Sequence, residues 1–516
     1  MADNLSELQA ALRKPELNSL MYSGLFAIRM ETHRILTDGR ASRYPYPAKL
    51  SSRRTHLYLT TDISDNMMEL KGTPQKGSAD SVRQLDLLQQ ALYSSLQPEE
   101  RLWPLSLPPK PVYDHDLEFL AHHSTRYWIS NYNTYLIKKY GIKRQLIAGV
   151  RVNYSLDTGL VEKLYQQVYR QEYASLAEFK NQFYFKLAQF FYLHRWLFTY
   201  LYGASPTTVS VKHDLPDGIE SPVRSLRSSD VGYTNRPSEQ VPYDTLEHHV
   251  QRLTQMVDDG TFASFKEFFG PVRLRGDSHN LPTVIKQGIK FLEFRTFDLD
   301  PFALSGISED TLNFLELFML YGMTTSLPAN IGEELAEAKK LNNEVAIQNP
   351  LEEPEWLQER AQQLMAQLTQ FVTDYSAPRK YQQALQFVQR RLEDPSLTIG
   401  GQVADKLADD SLLSFGLKIA NDRYTDFLQF GHPLAEEDER FSPSAHHLVM
   451  AAIELGLRFS ADQYLELSFG DHHENFPADV ELEFPHGARQ YLMEKFPEIK
   501  DNFHADEIDS SVDDLE

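Results

Sequence analysis

Three stretches of the chain, residues 26–31, 147–156 and 291–297, alternate between apolar and polar side chains. This alternation constrains the fold more than any other feature, because successive side chains of a β-strand point to opposite faces of its sheet. Each stretch is therefore predicted to be a strand with one buried apolar face and one charged face. The charged residues on that second face are Arg29, Glu31, Arg151, Glu293 and Arg295.

Around these strands the sequence is predicted to be mainly helical. The predicted strands are 23–35, 56–61, 67–74, 146–156 and 290–297. Helical composition and spacing are found in 1–20, 80–97, 113–140, 158–203, 309–323, 332–345, 354–371, 378–392, 411–429, 443–457 and 484–496. Residues 204–245 are rich in Ser, Pro, Asp and Gly and are predicted to form long loops.

Bulk composition excludes several classes of function. The formal net charge is −22, and an acidic surface repels nucleic acid and anionic lipid, so neither is an expected partner. The chain has no cysteine, which excludes disulfides and thiolate chemistry. Its N-terminus lacks a signal-peptide pattern, and the most apolar stretch, 183–203, is interrupted by Lys186, His194 and Arg195. We therefore expect a soluble cytoplasmic protein that does not cross a membrane.

The charged strand face allows two interpretations. Two further carboxylates belong near it, because Asp62 follows the apolar run LYLTT and Glu69 lies within MMELKG. Mixed charges are ordinary on the solvated face of an antiparallel sheet. Alternatively, the face lines a cleft in which carboxylates bind Mg²⁺ and arginines bind phosphate or carboxylate groups. The alternation by itself is compatible with both interpretations.

A series of motifs between residues 24 and 302 resembles, in the same order, those of the bacterial glutamate–cysteine ligases. They are RMETHR (29–34), TTD (60–62), RLWPLSLP (101–108), NYNTYLIKKYG (131–141), IAGVRVNYSL (147–156), YLYGASP (200–206), SLRSSDVGYTN (225–235), GPVRLRG (270–276) and FLEFRTFDLDPF (291–302). The total length also agrees with that family. The region after residue 303 is similar mainly in its helical character.

The resemblance implies an α+β fold with a curved, mostly antiparallel sheet like that of glutamine synthetase and helices packed outside it. It implies a sheet-containing ligase core in 1–302 and a helical part in 303–500 packed on that core. Residues 501–516 carry seven acids and little to bury, and are predicted to be a disordered tail. The implied reaction has two steps: ATP phosphorylates the glutamate γ-carboxylate, and the amine of cysteine then attacks the acyl phosphate.

The resemblance also implies roles for individual residues. The implied magnesium ligands are Glu31, Asp62, Glu69 and Glu293. Arg295 is implied to contact the transferred phosphoryl group, and Tyr132 to line the pocket of the accepting amine. Arg227 and Tyr233 are implied to contact substrate near the amino-acid pockets. The alternative for each residue is a structural ion pair or a packed aromatic ring.

Two arginines stand where the family has metal ligands: Arg29 replaces a glutamate and Arg151 replaces a histidine. A guanidinium has no lone pair to offer, and it repels Mg²⁺ by roughly 8 kcal/mol at about 4 Å and an effective dielectric constant near 20, before screening. We predict that both arginines are catalytic residues that replace part of the metal charge, so that ATP binds with fewer Mg²⁺ ions than is usual for the family. Asn133 stands where the family often has arginine, so the acceptor is cysteine or another small amine.

Three functions therefore stay open at the level of sequence. The first is an active ligase that joins glutamate to cysteine or a related amine. The second is a catalytically impaired relative that binds amino acid or nucleotide as a regulator or partner subunit. The third is a different enzyme on the same fold that does not use ATP.

Overall fold

The computed structural model describes residues 4–109, 127–206, 222–407, 411–430, 441–461 and 464–500. Residues 113–126 of one predicted helix and the predicted tail 501–516 lie outside the described residues. In chain order the elements are α1 (Leu5–Leu12), α2 (Pro15–Met21), β1 (Leu25–Leu36), β2 (Leu59–Thr61), β3 (Met67–Lys71), β4 (Gln75–Lys76), α3 (Gly77–Tyr93), β5 (Glu100–Leu102), α4 (Tyr127–Tyr140), α5 (Ile142–Gln145), β6 (Val150–Ser155), α6 (Thr158–Leu164), α7 (Leu176–Tyr202), α8 (Leu246–Asp258), β7 (Val272–Arg275), α9 (Leu281–Gln287), β8 (Phe291–Phe297), α10 (Glu309–Met323), α11 (Ile331–Ile347), α12 (Glu355–Asp374), α13 (Arg379–Glu393), α14 (Ile399–Leu407), α15 (Leu412–Phe430), α16 (Pro443–Leu455), β9 (Arg458–Ala461), β10 (Leu465–Phe469), β11 (His472–Phe476) and α17 (Ala488–Lys495).

Within the ranges just given, the main sheet has eight strands, and its path runs β2-β3-β1-β6-β8-β7. Every pairing along this path is antiparallel. Strand β1 is twelve residues long and also pairs with β4 and β5, so it forms the centre of the sheet. The predicted α+β fold with an antiparallel sheet is therefore confirmed.

Helices cover the apolar face of this sheet, as its two-residue period requires. The ring of Phe26 packs against Tyr154 with 4.9 Å between centroids. Phe191 of α7 contacts Phe294 of β8, with 4.6 Å between their ring centroids. Because alternate residues point the other way, the charged side chains are left together on the opposite face.

Most helices predicted after residue 303 are confirmed, and their ends lie within three residues of the predicted ends. Two helix predictions in the N-terminal half are wrong in detail. The predicted helix 1–20 is divided into α1 and α2 by Pro15, which starts the second helix. The predicted helix 158–203 is interrupted before α7, where the Ser175 side chain accepts a hydrogen bond from the Glu178 amide and caps a new start.

The C-terminal part is not entirely helical, which corrects the sequence-based expectation. Strands β9, β10 and β11 form a separate antiparallel sheet between α16 and α17. Leu465 and Leu467 are buried on one side of β10, while Glu466 between them is exposed. Buried apolar residues from both halves form one continuous core, and the domain boundary at residue 302 stays a prediction. Within the described ranges, no helix combines the length and apolarity needed to cross a membrane.

Candidate active site

The register of the sheet places the predicted charged residues side by side. Glu31 of β1 lies opposite Glu69 of β3, and Arg29 lies opposite Arg151 of β6. Strand β8, which carries Glu293 and Arg295, is the next neighbour of β6. Glu31, Glu69, Glu293 and Arg295 are buried, so this is not an open solvated face.

One half of the face is organised around the guanidinium of Arg151. Its Nη2 contacts a carboxylate oxygen of Glu31 and lies 3.3 Å from Oδ2 of Asp62. Its Nη1 lies 3.6 Å from Oε1 of Glu69. Arg29 lies beside the same glutamate, with its Nη2 2.9 Å from Oε1. Two arginines thus occupy the space between three carboxylates that the resemblance assigns to metal.

The other half of the face surrounds Glu293 with arginines. Nη1 of Arg295 lies 3.0 Å from Oε1 of Glu293, and Nε of Arg275 lies 2.9 Å from Oε2. Nη1 of Arg273 is 3.6 Å from Oε1. Arg273 and Arg275 were not among the predicted site residues. The alternation V-R-L-R in β7 carries the same two-residue period that identified the others, and it could have found them.

The predicted substrate contacts lie next to this arginine cluster. Nη2 of Arg295 donates a hydrogen bond of 3.1 Å to the Tyr233 hydroxyl. The guanidinium of Arg227 lies over the Tyr233 ring, 5.1 Å from its centroid. Tyr132, on α4, packs against the small apolar cluster that includes Phe269 and that Tyr233 also contacts. All three predicted substrate residues are therefore adjacent to the charged face.

Gly149 gives Arg227 its position. The Gly149 amide donates a hydrogen bond of 3.1 Å to Oε2 of Glu31. A methyl group on Gly149 would overlap the Arg227 guanidinium, which lies directly against the backbone there. Nη1 of Arg227 donates a hydrogen bond of 3.0 Å to the Ile147 carbonyl, so the arginine is fixed against the start of β6.

We therefore expect Gly149→Ala to displace Arg227 and to lower the free energy of unfolding by about 1–3 kcal/mol, as overpacking of a close contact does. Gly332→Ala is the matched control, because nothing lies near Gly332 on helix α11 and alanine favours a helix. Urea denaturation of both variants measures the difference. A Gly149→Ala protein as stable as the wild type would contradict the close contact.

The pKa values of the carboxylates reflect this arrangement. Burial and the neighbouring Glu31 carboxylate raise the pKa of Asp62 to about 7, against the opposing effect of Arg151. The Asp62 side chain keeps 37% of its surface exposed, so contact with water moderates the effect. Burial would also raise the pKa of Glu69, but Arg29 and Arg151 hold it below its usual value. Arg275, Arg273 and Arg295 overcome the effect of burial on Glu293 and hold its pKa well below the usual range.

The residues of the face, as arranged, fit anions better than a cluster of metal ions. Four carboxylates and six arginines give the face a formal charge of +2; they are Glu31, Asp62, Glu69, Glu293, Arg29, Arg151, Arg227, Arg273, Arg275 and Arg295. Among the described residues, no three His, Asp or Glu side chains converge as a metal-binding group. Oε1 of Glu69 accepts no well-aligned hydrogen bond, but Nη2 of Arg29 lies 2.9 Å from it. Several ions held by these carboxylates alone are not compatible with the guanidinium positions.

Comparison with known proteins agrees with this geometry. The sequence model of the glutamate-cysteine ligase family matches residues 9–266 and 258–345, which is more than half of the chain. The chain belongs to the glutamate–cysteine ligase family. The glutathione biosynthesis bifunctional protein GshAB of Streptococcus mutans is 34% identical over 455 residues, covering 87% of this chain and 59% of that protein. The GshAB protein of Pasteurella multocida is 30% identical and is covered over 62% of its length.

Solved structures show the same fold. The crystal structure of the bifunctional glutathione synthetase from Pasteurella multocida matches with a TM-score of 0.80 and 28% identity, covering 91% of this chain and 62% of that one. The glutamate–cysteine ligase of Francisella tularensis in complex with AMP matches with a TM-score of 0.71 and 21% identity, covering 84% of this chain and 92% of that one. The chain thus spans about 60% of the length of the bifunctional relatives that it matches.

Proposed function

We propose that the protein is an ATP-dependent ligase that joins the γ-carboxylate of glutamate to the amine of cysteine or a related small amine through a γ-glutamyl phosphate. The observation that carries the proposal is the convergence of Glu31, Glu69, Glu293 and Arg295 on one buried sheet face, in a chain of the glutamate–cysteine ligase family. In such a reaction the protein supplies no nucleophile. It positions two substrates and stabilises the charge on the transferred phosphoryl group.

Arginines are the groups best placed to stabilise that charge here. We assign Arg295 to the transferred phosphoryl group, since its Nη2 is held by Tyr233 and its Nη1 by Glu293. Arg29 on β1 and Arg151 on β6 lie opposite each other. They bring positive charge to the side of the face where the family pattern has metal ligands. Guanidinium forks match phosphate oxygens in geometry, and they need no metal to do so.

We propose further that the site takes ATP with fewer Mg²⁺ ions than the family pattern implies. Glu31 and Glu293 are committed to ion pairs with Arg151 and with three arginines respectively. Glu69 is likewise paired with Arg29, so Asp62, whose side chain is partly exposed, is the carboxylate best placed to hold an ion that enters with the nucleotide. We assign the bridging of phosphate to Arg29 and Arg151.

One observation favours a second candidate, a catalytically impaired relative that binds amino acid or nucleotide without turnover. Arg151 lies among Glu31, Asp62 and Glu69, and in that position it occupies space that a metal ion would otherwise share. Such a protein would keep the pocket and lose the chemistry. It could then act as a regulator or as the partner subunit of an active enzyme.

A phosphate-release assay with ATP, glutamate and a panel of amines distinguishes these functions. The ligase predicts phosphate release that requires both glutamate and an amine, with cysteine the best acceptor. A shift in melting temperature with ATP or glutamate, but no phosphate release with any amine, would replace the ligase by the impaired relative. Amide formation without ATP would contradict both.

A further inference from the structure

A cavity of about 380 Å³ lies on the helical side of the molecule, between α7, α11, α12 and the segment that follows α10. Small-molecule sites in proteins usually have volumes of roughly 300–1,000 Å³, so this space is large enough for a ligand. Its lining contains none of the residues of the charged sheet face. The cavity is therefore separate from the site described above.

The floor of the cavity is apolar. Phe190 and Trp196 of α7 and Leu364 of α12 line it, and all three side chains are buried. The ring of Phe190 packs against Phe318 with 4.6 Å between centroids, and Trp196 meets Trp356 edge-on at 5.2 Å. A floor of aromatic and aliphatic groups suits an apolar side chain of a ligand.

The walls of the cavity carry one cation and one anion, Arg360 of α12 and Glu334 of α11. In the part of the chain that the structure describes, neither forms an ion pair with a side chain of opposite charge. Arg360 lies beside the ring of Trp356, 5.6 Å from its centroid, and Glu334 accepts a long hydrogen bond of 3.4 Å from the Asn330 amide. Two opposite charges above an apolar floor are complementary to a zwitterion.

His194 adds a hydrogen-bond acceptor to the same lining. Its Nδ1 donates to the Phe190 carbonyl at 2.9 Å, which leaves the lone pair of a neutral ring on Nε2. Burial lowers the pKa of His194, and the positive charge of Arg360 acts in the same direction, so the ring is neutral at pH 7. Nε2 has no hydrogen-bond partner among the described residues, and it can accept from an ammonium group.

Helices α7 and α11 each line two cavities. His194 of α7 and Glu334 of α11 line this one, whereas Arg195 and Lys339 line a smaller cavity beside Tyr233. A ligand that fixes the two helices relative to each other therefore acts on both sides of them.

The second half of α11 is hydrogen-bonded to the segment that carries Arg227. The Ser225 amide donates to the Ala346 carbonyl at 2.9 Å, and the Asn342 side-chain amide donates to the Ser228 carbonyl at 3.0 Å. The position of α11 thus determines the position of residues 224–230.

We propose that this cavity binds a zwitterionic amino acid with a bulky apolar side chain, and that the bound ligand stabilises residues 224–230 through α11. The carboxylate of the ligand binds Arg360. Its ammonium group binds Glu334 and Nε2 of His194, and its side chain packs on the apolar floor. The site lies outside the ligase chemistry, so its test requires neither ATP nor turnover.

The test is titration calorimetry of the full chain with L-phenylalanine, with phenethylamine, which lacks the carboxylate, and with 3-phenylpropionate, which lacks the amine. We expect a Kd of about 0.1–2 mM for L-phenylalanine, as is usual for about a dozen non-hydrogen atoms, and binding about tenfold weaker for the other two. Arg360→Gln should weaken L-phenylalanine and 3-phenylpropionate about tenfold and change phenethylamine less than about twofold. Glu334→Gln should weaken L-phenylalanine and phenethylamine and leave 3-phenylpropionate unchanged.

Glu333→Gln is the matched control, because Glu333 also accepts from the Asn330 amide at 3.4 Å but does not line the cavity. It should leave all three affinities unchanged. Equal affinities for the three compounds would overturn the assignment to a zwitterion. Absence of binding at about 20 mM L-phenylalanine, ten times the weakest expected Kd, would overturn the site itself.

Hydrogen exchange followed by mass spectrometry tests the effect on residues 224–230. With saturating L-phenylalanine we expect the amides of Ser225 and Asp230, which donate to Ala346 and Asn343 of α11, to exchange about two- to fivefold more slowly. The Arg360→Gln protein should show a smaller change at the same concentration. Unchanged exchange in a wild type that binds L-phenylalanine would overturn the stabilisation, whereas failure of the ligase assay would affect neither measurement.

Discussion

Replacement of Arg295 by glutamine is expected to lower kcat for phosphate release by about 10²–10³-fold, the usual loss when one preorganised donor to a developing charge is removed. The side chain joins the two parts of the site, since it contacts Glu293 on the sheet and the Tyr233 hydroxyl beside the small apolar cluster that includes Phe269. The fold should survive the change, because Glu293 keeps Arg273 and Arg275 as partners. Steady-state kinetics and a melting curve on the same preparation measure the two effects.

Arg275→Gln is the matched control for this experiment. Arg275 pairs with the same carboxylate at 2.9 Å, and no contact with Tyr233 is seen for it in the described residues. We expect its loss to reduce kcat less than about tenfold, because it acts on Glu293 and not on the transferred group. If the two variants lost activity equally, Arg295 would be a structural partner of Glu293 and not a catalytic residue.

Restoring the family residues with Arg29→Glu and Arg151→His is expected to convert the face from an arginine site to a metal site. The double change removes two positive charges, adds a carboxylate and an imidazole, and frees Glu31, Asp62 and Glu69 from their guanidinium partners. We expect at least two Mn²⁺ ions to bind per chain in the variant, and phosphate release to require a higher concentration of divalent ion than in the wild type.

The control for the double variant is Arg29→Gln with Arg151→Gln, which removes the same two guanidinium charges without adding ligands. It should bind fewer ions than the glutamate and histidine variant. Two outcomes would contradict an active ligase in which Arg29 and Arg151 replace metal charge. If the wild type were inactive and only the restored protein released phosphate, the impaired relative would be correct. If both double variants bound the same number of ions as the wild type, the two arginines would not control metal binding.

The strands and their charged face could be predicted from the sequence because a two-residue period is a local signal. Arg29 and Glu293 each lie between two apolar neighbours, and Glu31 and Arg295 each follow an apolar residue. In such a pattern the buried face determines where the charges point. The pairing of Glu31 with Glu69 and of Arg29 with Arg151 depends on register between strands far apart in sequence, so the sequence alone did not contain it.

The features that were missed depend on tertiary contacts or on weak local signals. Arg195 interrupts an apolar helix, and its sequence position does not reveal that it borders a cavity with Arg227 and Arg295. The sheet of β9 to β11 lies in a region that was predicted to be helical, because its strands are only four or five residues long. The ion pairs of Glu293 with Arg273 and Arg275 bring together two strands separated by helix α9.

If guanidinium groups replace metal charge in this pocket, the wild type binds few metal ions, and the number of ions that it binds tests this replacement most directly. Equilibrium dialysis against Mn²⁺, with a non-hydrolysable ATP analogue and glutamate present, gives that number. We predict at most one tightly bound ion per chain, held with the nucleotide. Three tightly bound ions would contradict the claim, because Arg151 and Arg29 would then have had to leave the carboxylates they contact in the structure.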